Sequence, residues 1–146
     1  MNGQQIKNGV LGSLAGGVVM GIPMQMMGSI KMVAMMVGSE SALIGWIVHL
    51  LISALFGVAY AILFGKQQTQ WLTGLIYGFI WYLLGPLTLM PLFMGMGVQW
   101  SATAVAGSLS SLMSHLVYGL VTGLVYQALE KREAASTATG PSHSAR

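Results

Sequence analysis

Long apolar runs alternate with short polar interruptions along this chain, and the interruptions are too few to cover a water-soluble surface. Four runs come close to the roughly 20 residues that carry a helix across the hydrocarbon core. They cover residues 10–27, 43–64, 72–90 and 105–129. Between the second and third runs lies the polar turn Gly65-Lys66-Gln67-Gln68-Thr69-Gln70. After Leu129 the chain reads Glu130-Lys131-Arg132-Glu133, and residues 134–146, rich in Ser, Thr, Ala, Gly and Pro, read as a disordered cytoplasmic tail. Backbone embedded in lipid must satisfy its own hydrogen bonds. The pattern therefore predicts an all-α fold, an integral membrane four-helix bundle filling residues 1–133.

Composition sharpens this. Hydrophobic residues make up 55% of the 146 and charged residues 6%, where a soluble domain carries roughly 25% charged. An ordinary cytosolic enzyme and a disordered chain are thereby excluded. A net charge of +3, scattered along the chain, is too small to track phosphates and excludes nucleic acid as a partner. The absence of cysteine excludes disulfides, zinc ribbons and thiolate catalysis.

The basic residues set an orientation. Lys7, Lys66, Lys131 and Arg132 fall on one side of four spans, and the positive-inside rule makes that side cytoplasmic, with both termini inside a plasma (inner) membrane. Trp46 and Trp100 fall near the outer boundary and Trp71 near the inner one, while Trp81 lies mid-span and packs. No Ala-x-Ala site follows the first apolar run, so it is read as a retained span and not a signal peptide. Pro23 and Pro86 each remove a backbone donor and should kink or break their helices. Whether the first helix continues through Lys31, or a short interfacial helix carries that residue to water, is left open by the sequence.

The two halves resemble each other. His49/His115, Leu50/Leu116, Gly57/Gly123, Tyr60/Tyr126 and Leu63/Leu129 match at a constant offset of 66. More loosely, Met20-Gly21-Ile22-Pro23 resembles Leu84-Gly85-Pro86. Two tandem helical hairpins running in the same direction form a parallel repeat, whose pseudo-axis stands along the membrane normal. Small residues mark the helix-packing faces: Gly17 and Gly21 in the first span, Gly57 in the second, Gly74 and Gly78 in the third, Gly119 and Gly123 in the fourth. In lipid, helices associate through such faces because apolar area alone does not drive them together.

Two features point to chemistry. His49 and His115 each lie on a small-residue face within a span, where a titratable group is costly and marks a functional site unless it serves packing. Meeting on the pseudo-axis, the pair suits bis-imidazole ligation of haem b, with Ser53 and Gly119 leaving room for the flat macrocycle. As a packing residue, each ring would instead bond a carbonyl freed by a proline or a hydroxyl such as Ser53 or Tyr118. Ten of the twelve methionines fall in two windows, Met20 to Met36 and Met90 to Met96. Thioether and imidazole together suit Cu(I), so His49, His115, Met24, Met27, Met94 and Met96 form a candidate copper set. The alternative is that Met fills irregular space beside proline kinks. No residue set supports a catalytic assignment.

The stretch from His49 through Trp71-Leu72-Thr73-Gly74-Leu75 to Pro86, followed by Ser114-His115-Leu116-Val117-Tyr118, resembles the YagU-like small inner-membrane proteins of bacteria. The resemblance covers about the last two-thirds of the chain and implies location and architecture, with no functional residue to carry over. The Met-rich windows depart from that pattern. The expected function is a non-catalytic structural, accessory or oligomeric component of the lipid bilayer, as a homo-oligomer or within a larger membrane complex. The alternatives are a haem b or Cu(I) protein built on His49 and His115, and a small-solute or ion permeation pathway.

Overall fold

A computed structural model describes residues 2–138, which contain helices and turns and no strand. Helix α1 (Gly3–Met26) is followed by α2 (Ile30–Met35), α3 (Ala42–Phe64) and α4 (Gln70–Leu84). A π-helical turn (Gly85–Leu89) joins α4 to α5 (Met90–Phe93), and α6 (Ala102–Gly107) and α7 (Leu109–Ala138) complete the chain. Among the described residues four segments are long and apolar enough to cross a membrane: Gly3–Met26, Ala42–Phe64, Gln70–Phe93 and Leu109–Ala138. The all-α four-helix bundle read from the apolar pattern is the fold observed.

The boundaries differ from expectation for local reasons. The first span starts at Gly3 and not at 10, because Asn2 and Gln5 cap each other reciprocally and hold a polar first turn in helix. It ends at Met26, where the Ser29 hydroxyl donates to the Met24 carbonyl at 3.2 Å. Lys31 therefore rides exposed on the separate short helix α2. Both short helices at this end close the same way. Gly38 N donates to Met35 O and Ser39 N to Ala34 O after α2, and Gly95 N donates to Leu92 O and Met96 N to Pro91 O after α5. Gly38 and Gly95 sit at φ of +73° and +74°, the left-handed closure that glycine accepts without strain.

Pro23 lies in the last turn of α1 and does not break it. Pro86 does disturb its helix: it opens the π-helical turn, and the Thr88 hydroxyl donates to the Leu83 carbonyl at 2.7 Å. The third span thereby continues past 90 to Phe93. The fourth span begins at Leu109, not 105, because residues before it form α6, capped by the Ser101 hydroxyl accepting from Ala104 N. It runs on past 129 to Ala138. Residues 134–138, read as the start of a disordered tail, are helical, since Ala134, Ala135 and Ala138 extend the charged turn before them with strong helix formers. The rest of that tail lies outside the described residues.

Helix α1 is central: it packs against α3 on one face and α7 on another, α7 also packs against α4, and the backbones of α3 and α4 scarcely approach. The small residues make the close contacts. A methyl group added at Gly57 would overlap the Gly9 carbonyl of α1, and one at Gly17 would overlap Ser53. Gly74 and Gly78 lie against the Gly119 and His115 carbonyls, Gly119 against Gly74 and Gly78, and Gly123 against the Gln70 carbonyl. Gly21 accommodates the Trp46 ring. Leu43, Leu51, Leu55 and Ile62 face outward, the surface a lipid solvent requires.

One end of the bundle collects Lys7, Lys66, Lys131 and Arg132, and it is tied by polar contacts. Asn8 Nδ2 donates to Glu130 Oε1 at 2.7 Å, Gln4 bonds Glu133, and Tyr60 donates to Gln70 Oε1 at 2.6 Å. Tyr60 packs edge-on against Tyr77 and Tyr126, with centroids 5.1 and 5.6 Å away. The opposite end carries α2, α5, α6 and the methionine windows.

Candidate functional site

At the methionine end a cavity of about 450 Å³ lies between the two hairpins, within the size range of small-molecule sites. Its deep end is Phe56 of α3 stacked on Trp81 of α4, with ring centroids 3.4 Å apart and planes within 13°. Met20, Met24 and Met27 line it from α1 and the turn beyond, Met32 and Met36 from α2 and its end, and Met90 from α5. Ser108, Ser110, Ser111 and Ser114 form a hydroxyl row at the head of α7, and His49, Ser53, His115 and Tyr118 complete the polar lining. None of the lining side chains is charged at neutral pH apart from any charge the two imidazoles take up.

Both histidines therefore face one cavity. His49 is nearly buried, 8% exposed, and its Nε2 lies 2.9 Å from the Gly17 carbonyl. His115 Nδ1 lies 2.8 Å from the Ser111 carbonyl. A carbonyl only accepts, so each of these nitrogens carries the proton. In the neutral rings the lone pairs then fall on His49 Nδ1 and His115 Nε2, which have no hydrogen-bond partner among the described residues. A Cβ at Gly85 would sit 3.6 Å from His115 Nε2, so the missing side chain there leaves the nitrogen room. Neither carbonyl is one that a proline frees: each ring bonds a carbonyl of ordinary helix. Trp46 and Tyr82 hold the two rings edge-on, with centroids 6.1 and 6.3 Å away.

The candidate copper set divides. His49, His115, Met24 and Met27 share the cavity, with Met27 itself 69% exposed, whereas Met94 lines a smaller neighbouring space of about 270 Å³ that shares Met32, Met36 and Met90 with it. Met96 is 57% exposed and lines neither. Gly95 turns the chain left-handed between the two, and only Met94 lines a cavity space. The room expected beside Gly119 for a macrocycle is not there, because α4 fills it backbone to backbone. No group of three or more His, Cys, Asp or Glu able to hold a metal occurs among the described residues.

Sequence reasoning missed the serine row and the Phe56–Trp81 floor. Its signal was present in Ser108, Ser110, Ser111 and Ser114, four hydroxyls within seven positions at the head of an apolar span. Trp81 Nε1, expected mid-span, is buried with no hydrogen-bond partner among the described residues. Compared with family models, curated proteins and solved structures, the chain matches none.

Proposed function

We propose that this membrane protein is a non-catalytic binding component of the bacterial inner membrane, with its charged end cytoplasmic and its cavity opening toward the outside. The observation that carries the reading is that both in-span histidines, each fixed by a backbone carbonyl, line one cavity between the hairpins. A mostly apolar wall with a few placed polar groups is how small-ligand sites are built. The basic residues at the opposite end support the orientation. We read the two hairpins as a duplication related by a twofold along the membrane normal, supported by the five identities at offset 66 and by the paired positions of His49 and His115. A relationship to the YagU-like proteins belongs to the same reading and rests on Trp71 through Leu75 and Ser114 through Tyr118. A permeation pathway is less favoured, because the Asn8–Glu130 and Tyr60–Gln70 contacts tie the charged end shut.

The chain has no cysteine, so single-cysteine labelling tests this directly. A membrane-impermeant thiosulfonate added outside intact cells is expected to modify Ser111→Cys and Ser114→Cys rapidly. Leu55→Cys, facing lipid, should react slowly, and Lys66→Cys only after the cells are opened. Equal rates at Ser111→Cys and Leu55→Cys would remove the cavity. Outside labelling of Lys66→Cys would invert the orientation.

A further inference from the structure

Resting on that reading of the cavity, we infer that its ligand is a soft monovalent cation, Cu(I), held between the imidazoles of His49 and His115 and the thioethers of Met24 and Met27.

Three features converge on this donor set. The first is ring orientation. Metal-ligating histidines donate their other ring N–H to a carboxylate, a backbone carbonyl or a water, which fixes the tautomer and raises the basicity of the ligating nitrogen. Both histidines do this, His49 to Gly17 and His115 to Ser111, and both present the remaining lone pair where no group among the described residues takes it. A histidine needed only for packing gains nothing from a second nitrogen left open on a cavity.

The second is ligand softness. Among the described residues six methionines line the same cavity, and neither carboxylate nor thiolate does. Thioether and imidazole select Cu(I), while carboxylate and water suit hard cations and Zn(II) draws on thiolate, imidazole and carboxylate sets. Among the described residues no cluster of three His, Cys, Asp or Glu competes for the metal.

The third is charge. The cavity supplies no counter-ion, and an uncompensated charge in a low-dielectric wall is costly. A single positive charge spread over neutral donors is the smallest such cost a metal ion imposes. A divalent ion would double the charge with nothing to balance it. The cavity is larger than an ion, but Met24 and Met27 lie at the end of α1 beyond Pro23, on unbranched side chains with three rotatable bonds that can swing inward on binding. The surplus methionines, Met20, Met32, Met36 and Met90, extend the thioether lining of the same cavity.

The test uses the full chain in detergent under anaerobic reducing conditions, titrated with Cu(I) against bathocuproine disulfonate, with Ag(I) as a redox-inert surrogate. One equivalent is expected to bind. Affinity should fall by about tenfold or more in Met24→Leu/Met27→Leu and in His115→Gln, at least the loss seen when a contact orienting a ligand is removed. Met94→Leu/Met96→Leu should bind as the parent does. Met→Leu keeps side-chain volume, and each variant's melting temperature without metal checks its fold. Cu(I) should raise that temperature in the parent, because a ligand that binds only the folded state stabilises it by mass action, and not in the His115→Gln chain. Retention of full affinity after both His→Gln changes would overturn the inference, as would equal uptake of Zn(II). If Ser111→Cys labels from outside but no Cu(I) binds, the cavity stands and the cation falls. A hydroxyl-bearing lipophile donating to the two open nitrogens would then be its occupant.

Discussion

Where α1 meets α7, Gly12 and Gly16 let the backbones come into contact: a Cβ at either position would overlap the carbonyl of Thr122 or of Tyr118. Where α3 faces α4, the space is spanned by rings. Phe56 stacks on Trp81, Tyr60 packs edge-on to Tyr77, and Tyr77 donates to the Phe56 carbonyl at 2.6 Å. Under the twofold proposed above these two seams correspond. One is closed by residues with no side chain, the other held apart by the largest side chains available. The cavity lies at the methionine end of the seam that rings hold apart. On the proposed duplication, equivalent seams are filled unequally, with rigidity placed on one side and space on the other.

The largest effect should come from forcing the tight seam open. Gly12→Leu or Gly16→Leu puts four carbons where α7 backbone lies, and overpacking against backbone that cannot yield is expected to cost about 3 kcal/mol or more. Gly57→Leu and Gly123→Leu act the same way within the hairpins, since Gly57 meets Gly9 and Gly123 meets the Gln70 carbonyl. Thermal unfolding in detergent is the measurement. A melting temperature unchanged in Gly16→Leu would show that α1 and α7 are not locked together as described.

The aromatic seam should tolerate far more. Phe56→Ala removes a half-buried ring that stacks on Trp81. In water such a truncation would lose transfer free energy as well as contacts. Here the ring already borders the cavity, so its removal enlarges an existing space and leaves the tight seam untouched. What remains is the aromatic pair itself, about 1 kcal/mol. The expected result is a small drop in melting temperature with a larger, more reactive cavity, read as faster labelling of Ser111→Cys in the Phe56→Ala background. A collapse of stability as large as that of Gly16→Leu would mean the rings hold the bundle together, and the contrast between the seams would be lost.

This contrast also explains what the sequence made legible. Helices follow from apolar length, because lipid leaves the backbone no other partner, so the four spans and the glycine faces could be read directly. Their ends could not. The starts at Gly3 and Leu109 depend on the reciprocal cap of Asn2 and Gln5 and on the separate turn of α6, both local hydrogen bonds that hydropathy does not register. His49 and His115 stood out as polar groups in apolar runs, and both line the cavity. The separation of Met94 and Met96 from them did not stand out, because the end of α5 places Met94 in the neighbouring space and the left-handed Gly95 redirects the chain before Met96. The serine row was overlooked because single hydroxyls are common in spans and only their clustering at the head of α7 gives them meaning.

The smallest effect sits where the tight seam meets the interface between α1 and α3. Ser13 of α1 is fully buried, donates to the Ser53 carbonyl of α3 at 2.5 Å and pairs its hydroxyl with that of Tyr118 on α7. It is thus a polar pin through three helices, and intuition assigns a buried pin in lipid a large value. Interhelical hydrogen bonds in membranes average only about 0.6 kcal/mol, because groups separated in the unfolded bilayer state also find partners. The Ser53 carbonyl can keep an acceptor role within its own helix, and Tyr118 lines the cavity, where its hydroxyl can turn toward other groups. Ser13→Ala also leaves the glycine contacts of α1 untouched. It should therefore lower stability by about 0.6 kcal/mol, several times less than Gly16→Leu one turn away. A double-mutant cycle with Tyr118→Phe isolates the hydroxyl pair. A coupling near zero or near the membrane average leaves backbone approach as what holds the tight seam. A coupling of several kcal/mol would transfer that role to Ser13 and make the glycines spacers for it.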